Sequence, residues 1–144
     1  MRKFSLRDIM GYLTMWFYLA CNVLMESYSI LSMRDLKSVP DQLDRCNDVA
    51  GLHLLKGEIR SCNGAAMMGA AMSLVFGIVM AAYTLIFTGL TGASGLLVLI
   101  WALPIVLFTY FIEKWRATNG MFDSIMSKIS QLEYDIQHSN KTEK

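Results

Sequence analysis

Polar and apolar positions divide this chain into long blocks. From Gly64 to Phe111 there is no Asp, Glu, Lys, Arg or His. Two apolar runs fill that interval, about Gly64–Thr88 and Gly95–Phe111, joined by the uncharged stretch Gly89–Ser94. A helix needs about 20 apolar residues to cross a hydrocarbon core, and both runs approach that length. The pattern predicts an all-α integral membrane protein with two strong transmembrane helices arranged as a hairpin. The turn lacks charge, which suits a tight connection at a membrane surface.

A third, weaker apolar run covers Ile9–Met33. On a helix, Gly11, Thr14, Tyr18, Asn22, Glu26 and Ser29 fall on one stripe. Leu13, Trp16, Phe17, Leu24 and Leu31 lie on the opposite side. Three readings are open for this run: a cleaved secretory leader, a crossing helix with its polar stripe turned to the other helices, or a helix lying at the interface. A leader is disfavoured. Arg2, Lys3 and Arg7 resemble its basic start, but no small-residue cleavage site follows, and Tyr18-Leu19-Ala20-Cys21 is a poor lipid-attachment signal. The uncharged part, Ile9–Met25, is near the lower length limit for a span. A third, N-terminal membrane helix within residues 1–33 is therefore expected.

Residues 34–63 are the main polar interval. Here Arg34, Lys37, Arg45, Lys56 and Arg60 balance Asp35, Asp41, Asp44, Asp48 and Glu58. Ser38-Val39-Pro40-Asp41 predicts a helix start, with Ser38 as cap and Pro40 in the first turn. Leu43, Cys46, Ala50 and His53, then Leu52, Leu55, Ile59 and Cys62, trace an apolar side that shifts along the segment. One irregular amphipathic helix or two short ones are expected. Asn63-Gly64 predicts a break before the membrane segment at 64–113.

The first strong run carries small residues every four positions: Ala65, Gly69, Ser73, Gly77 and Ala81. Lipid offers little hydrophobic drive between helices, so close backbone approach must supply the attraction. These five positions predict a helix-packing face. Its partner is either the next helix or another protein. In the second run Pro104 removes a backbone donor and predicts a kink, with Thr109 as a source of compensation. Tyr110, Lys114, Trp115 and Arg116 mark an aromatic and basic boundary. Beyond it, in residues 114–144, Trp115, Thr118, Phe122, Ile125, Ile129, Leu132 and Ile136 alternate spacings of three and four. This heptad, interrupted at Asn119-Gly120, predicts either a short coiled coil or a helix covering Leu43–Ile59.

Charge and composition narrow the class. The chain has 144 residues, 54% hydrophobic and 17% charged, with a net charge of +1. That balance gives no field for nucleic acid. Cys21, Cys46 and Cys62 are scattered, and His53 and His138 stand at no zinc-ligand spacing from them. No phosphate-binding loop, nucleophile elbow or metalloprotease motif occurs. No catalytic residue, cofactor or metal is expected. Glu26, with Asn22 one turn earlier, is the one ionisable group within an apolar run. A carboxylate at membrane depth marks a functional site by default; at the membrane edge near Arg34 it is simply solvated. Thr14, Asn22 and Glu26 form a candidate polar stripe.

Lys and Arg concentrate in the 34–63 loop and just past Phe111, and none lies in the Gly89–Ser94 turn. The positive-inside rule then places the turn outside and the loop and C-terminus in the cytoplasm, where Cys46 and Cys62 stay reduced. By layout alone this resembles small bacterial membrane effectors, so a multi-pass protein of a bacterial inner membrane is expected. Two functions fit. One is an accessory, immunity, exclusion or assembly protein that packs its helices against a membrane partner. The alternative is a self-assembling pore-forming or permeabilising protein of the lysis or abortive-infection kind. The expected partners are the bilayer and either a second copy or another membrane protein.

Overall fold

The computed structural model describes residues 5–91 and 97–142. It is all-α, with no strand among those residues. Four helices follow in order: α1 (Leu6–Met33), α2 (Val39–Arg45), α3 (Val49–Thr91) and α4 (Leu97–Thr142). A short 3-10 turn, Leu36–Ser38, precedes α2. α3 is 43 residues long and α4 46. At 1.5 Å per residue each is a rod of about 65–70 Å.

The expected break at Asn63-Gly64 is absent, and the heptad interruption at Asn119-Gly120 does not end a helix. α3 runs through Asn63-Gly64 and α4 through Asn119-Gly120. The reason is tertiary. Asn63 donates from Nδ2 to Oδ1 of Asn119 at 2.9 Å, so the two helix-breaking pairs face one another across α3 and α4. A glycine costs a helix about 1 kcal/mol, less than the burial gained on either side. The end of the 34–63 segment thus runs on into the first membrane run as α3, and the second run continues into the 114–144 segment as α4. Of the predicted turn, Gly89–Thr91 is still helical, and residues 92–96 lie outside the described ones.

α3 and α4 pack against each other lengthwise, and α1 packs on α3. α1 opens with a capping box that sequence reading missed. The Ser5 hydroxyl accepts from the Arg7 amide, and the Ser5 amide donates to Asp8 Oδ2. α1 is antiparallel to α3. Near its start, Thr14 shares a hydrogen bond of 2.8 Å with the Tyr83 hydroxyl. Phe17 lies against Phe76 and edge-on to Tyr83. At the far end, Arg34 forms a 2.6 Å ion pair with Glu58.

Ser38 occupies the cap position of α2 but does not cap it. Its hydroxyl donates to the Asp35 carbonyl, and Asp35 caps the preceding turn. Pro40 sits in the first turn of α2, as expected. The other end of α2 is held by Lys128 of α4, whose Nζ donates to the Leu43 and Asp44 carbonyls. A cation there also suits the negative end of the helix dipole.

The core differs between the two halves of the bundle. In the charged half, Leu36, Val39, Leu52, Leu55, Ile59, Ile125 and Ile129 are buried together. In the uncharged half, small residues Ala65, Ala66, Gly69, Ala70 and Ser73 are inside with Phe76 and Phe111. Large apolar side chains there point outward, including Met67, Leu74, Ile78, Leu85, Leu103, Ile105 and Val106.

The charged half should unfold like an ordinary core. Ile125→Ala removes a fully buried side chain and should destabilise by about 2–5 kcal/mol. Ile136→Ala, on a half-exposed residue, should change stability by less than about 0.5 kcal/mol. Thermal melts followed by circular dichroism measure both.

Candidate functional site

The small-residue face is where the sequence concentrates its specificity, and the structure shows what fills it. Ala65, Gly69 and Ser73 are buried, and Gly77 and Ala81 are partly so. The face is turned toward α4. A Cβ built on Gly69 would stand 2.3–2.7 Å from the Phe111 ring, closer than any side chain allows. One on Gly77 would touch Pro104 Cβ at 3.4 Å. Gly69 therefore receives Phe111, and Gly77 stands against Pro104. The buried Ser73 hydroxyl donates to the Gly69 carbonyl at 2.7 Å and needs no outside partner.

Pro104 is buried within an unbroken α4. Thr109 does not serve the carbonyl that Pro104 frees one turn earlier. Its hydroxyl donates to Ile105 instead, at 2.9 Å. What Pro104 contributes in this structure is a flat, donor-free surface on which Gly77 rests.

The polar stripe of α1 lies elsewhere than expected for a crossing helix. Leu13, Phe17, Ala20, Leu24, Ser27 and Leu31 face inward. Gly11, Tyr18, Asn22 and Glu26 are exposed on the outside. The stripe thus turns away from α3 and α4. The physical reason is the inner seam, of which the sequence marked Leu13, Phe17, Leu24 and Leu31 but not Ala20 and Ser27. Ala20 and Ser27 are small enough for close approach to α3, and Phe17 and Leu24 supply area. Of the stripe, Thr14 alone reaches another helix, through Tyr83; its hydroxyl also lies 2.8 Å from the Met10 carbonyl. Asn22 and Glu26 have no hydrogen-bond partner among the described residues. Ser29 is partly buried.

The heptad positions of α4 also divide. Ile125 and Ile129 are buried, Phe122 and Leu132 partly so, and Ile136 is exposed. The buried pair shares its core with Leu52, Leu55 and Ile59 of α3. Lys56 stands 5.7 Å above the Phe122 ring, a cation–π contact. Thr118 is fully buried, its hydroxyl directed at the Lys114 and Trp115 carbonyls.

A polar cleft of about 240 Å3 opens between Arg34, Gln42, Cys46, Gly51 and Glu58. Its charges already have partners, since Arg34 Nη2 also donates to Gln42 Oε1 at 3.0 Å. No group of three His, Cys, Asp or Glu able to hold a metal occurs among the described residues. Beside the cleft, burial pushes the Cys62 thiol above its usual range, with Arg34 opposing and Glu58 adding to the shift. Compared with protein-family models, curated proteins and solved structures, the chain matches none of them.

Two outcomes test this packing. Gly69→Ala should destabilise by about 1–3 kcal/mol through overpacking on Phe111. Gly57→Ala and Gly64→Ala, which meet open space, should stabilise by about 0.5–1 kcal/mol. Melts of the three variants compare them directly. A buried thiol with a raised pKa keeps little thiolate at neutral pH. Maleimide should therefore modify Cys62 more slowly than the part-exposed Cys46, and the Cys62 rate should still climb as pH passes 9.

Proposed function

We propose that this chain is a small, non-enzymatic, multi-pass membrane protein that acts by helix–helix association with a membrane partner. The observation that carries this reading is the inversion of the uncharged half. Ile78 and Leu85 are 70% and 73% exposed, while Gly69 and Ser73 are buried. A soluble protein rarely exposes an apolar surface of that extent. A bilayer is the solvent that tolerates it, because lipid tails are as apolar as Leu.

Among the described residues one helix, not the two or three expected, is long and apolar enough by itself to cross a membrane: α3, over Val49–Gly89. The antiparallel packing extends it. If α3 crosses between about residues 64 and 88, α1 and α4 cross beside it. The charged half, with Arg34, Lys37, Arg45, Lys56, Arg60, Lys114, Arg116 and Lys128, then projects into the cytoplasm. The α1 start lies on the other side. Cys46 and Cys62 are on the reducing side.

Partner association follows from what remains uncommitted. The small-residue face is filled by Phe111 at Gly69 and touched by Pro104 at Gly77, where an apolar cleft of about 480 Å3 remains open between Ser73, Ala81, Trp101 and Pro104. Outward surfaces of α1, α3 and α4 are left for other molecules, and on α1 that surface carries Tyr18, Asn22 and Glu26. Recognition through such a surface suits an accessory, immunity, exclusion or assembly role.

Two measurements test this. After expression, the chain should stay in the membrane pellet through an alkaline carbonate wash. In intact cells, a membrane-impermeant thiol reagent should leave Cys46 unmodified, and permeabilised cells should allow its labelling. Release by carbonate would sink the membrane reading. Labelling in intact cells would reverse the orientation.

A further inference from the structure

The outer side of α1 carries a second row of side chains, exposed from Gly11 to Met25; beyond that, Ser29 is partly buried, and Ser29 and Ser32 line a cleft with Leu103, Leu107 and Phe111 of α4. Gly11, Met15, Tyr18, Asn22, Met25, Ser29 and Ser32 are spaced alternately by four and three. That is the repeat of two helices wound about each other. The inner seam, Leu13 to Leu31, has the same repeat on the opposite side and is already used against α3. The inner row is packed on α3, while the outer row from Gly11 to Asn22 has no partner helix among the described residues.

Register fixes the depth of the outer seam. The pairs Thr14–Tyr83, Phe17–Phe76 and Arg34–Glu58 set α1 against α3. Counting along from them places Asn22 beside about residues 70–78 of α3, the middle of the uncharged block. Asn22 is exposed there without a described hydrogen-bond partner. Facing hydrocarbon, an amide without a partner is costly. Tyr18 and Met25, one turn to either side, are 70% and 73% exposed.

We infer that a second copy of this chain covers the seam, its α1 parallel to the first about a two-fold axis along the membrane normal. This rests on the membrane reading above. Complementarity argues for a copy. An amide is both donor and acceptor, so Asn22 pairs with its own symmetry mate, and a two-fold axis along the normal brings the two to equal depth. The seam itself bears no charge from Gly11 to Ser32, so joining two of them buries no ion. Glu26 stands one position off the seam, at its flank. Gly11 has open space around its Cβ position, which allows the two helices to approach closely at that end. A single polar residue at such a position also fixes register and favours two strands.

Sedimentation equilibrium in density-matched mild detergent tests the pairing on the full chain. The wild type should be a dimer. Asn22→Ala should weaken association about tenfold, with an unchanged helical spectrum. Leu74→Ala, on the outer face of α3, should leave it unchanged. In vesicles of phosphatidylcholine and phosphatidylglycerol, oxidation should cross-link Tyr18→Cys between copies, and should not cross-link Leu85→Cys. A monomer that survives the carbonate wash overturns the dimer and leaves the membrane reading standing, with a different protein's helix on the seam. Release by carbonate overturns both. A dimer indifferent to Asn22→Ala and uncross-linked at position 18 pairs through another face and overturns the proposal. So does an assembly of more than two copies.

Discussion

The seating of the Phe111 ring on Gly69 is the contact on which the rest depends. It exists because Gly69 has no side chain, and a single methyl there would overlap the ring. That contact sets the distance between α3 and α4 and fixes their register. With it in place, Gly77 meets Pro104 on one side and Asn63 meets Asn119 on the other. α1 then finds a grooved surface in which Phe17 can reach Phe76 and Leu31 can be buried. Packing of this kind draws on close van der Waals approach rather than on release of water.

The two halves of the bundle are stabilised differently. Where charges occur, branched apolar residues are inside and Lys or Arg side chains act as clips. Lys128 secures α2, Lys56 covers Phe122, and Arg34 joins the end of α1 to α3. An exposed pair such as Arg34–Glu58 contributes no more than about 1 kcal/mol, so the clips align elements that Leu52, Ile59 and Ile125 hold. Where charges are absent, small residues take over the inside. Glycine, alanine and serine surround Phe76 and Phe111 there, and Met67, Leu74, Ile78, Leu85 and Ile105 are out.

Much of this was legible in the sequence. The uncharged block, the four-residue spacing from Ala65 to Ala81 and the α4 spacing around Ile125 and Ile129 are periodicities, and periodicity survives without coordinates. What misled were local signals. Asn63-Gly64 read as a break and Asn119-Gly120 as an interruption of the heptad, because neither shows that the other faces it. Ser38 read as a cap, yet Asp35 three residues earlier offers its carbonyl to the hydroxyl. The α1 stripe was visible, but its direction was not. Polar residues suggest an inward face in a membrane helix, whereas Ala20 and Ser27 let the opposite face fit more closely. Which of two seams a helix uses depends on the surface it meets, and that surface belongs to α3.

Because α3 and α4 pass from the uncharged half into the charged half without a break, each is a lever with Gly69–Phe111 near its fulcrum. Residues twenty positions from Gly69 lie about 30 Å along the rod. A tilt of about ten degrees there displaces that end by about 5 Å, and the other end moves the opposite way. α2 travels with α4 through Lys128, and the end of α1 travels with α3 through Arg34. A tilt imposed at the uncharged end of either rod would thus reach the charged end with no break in the helix to absorb it.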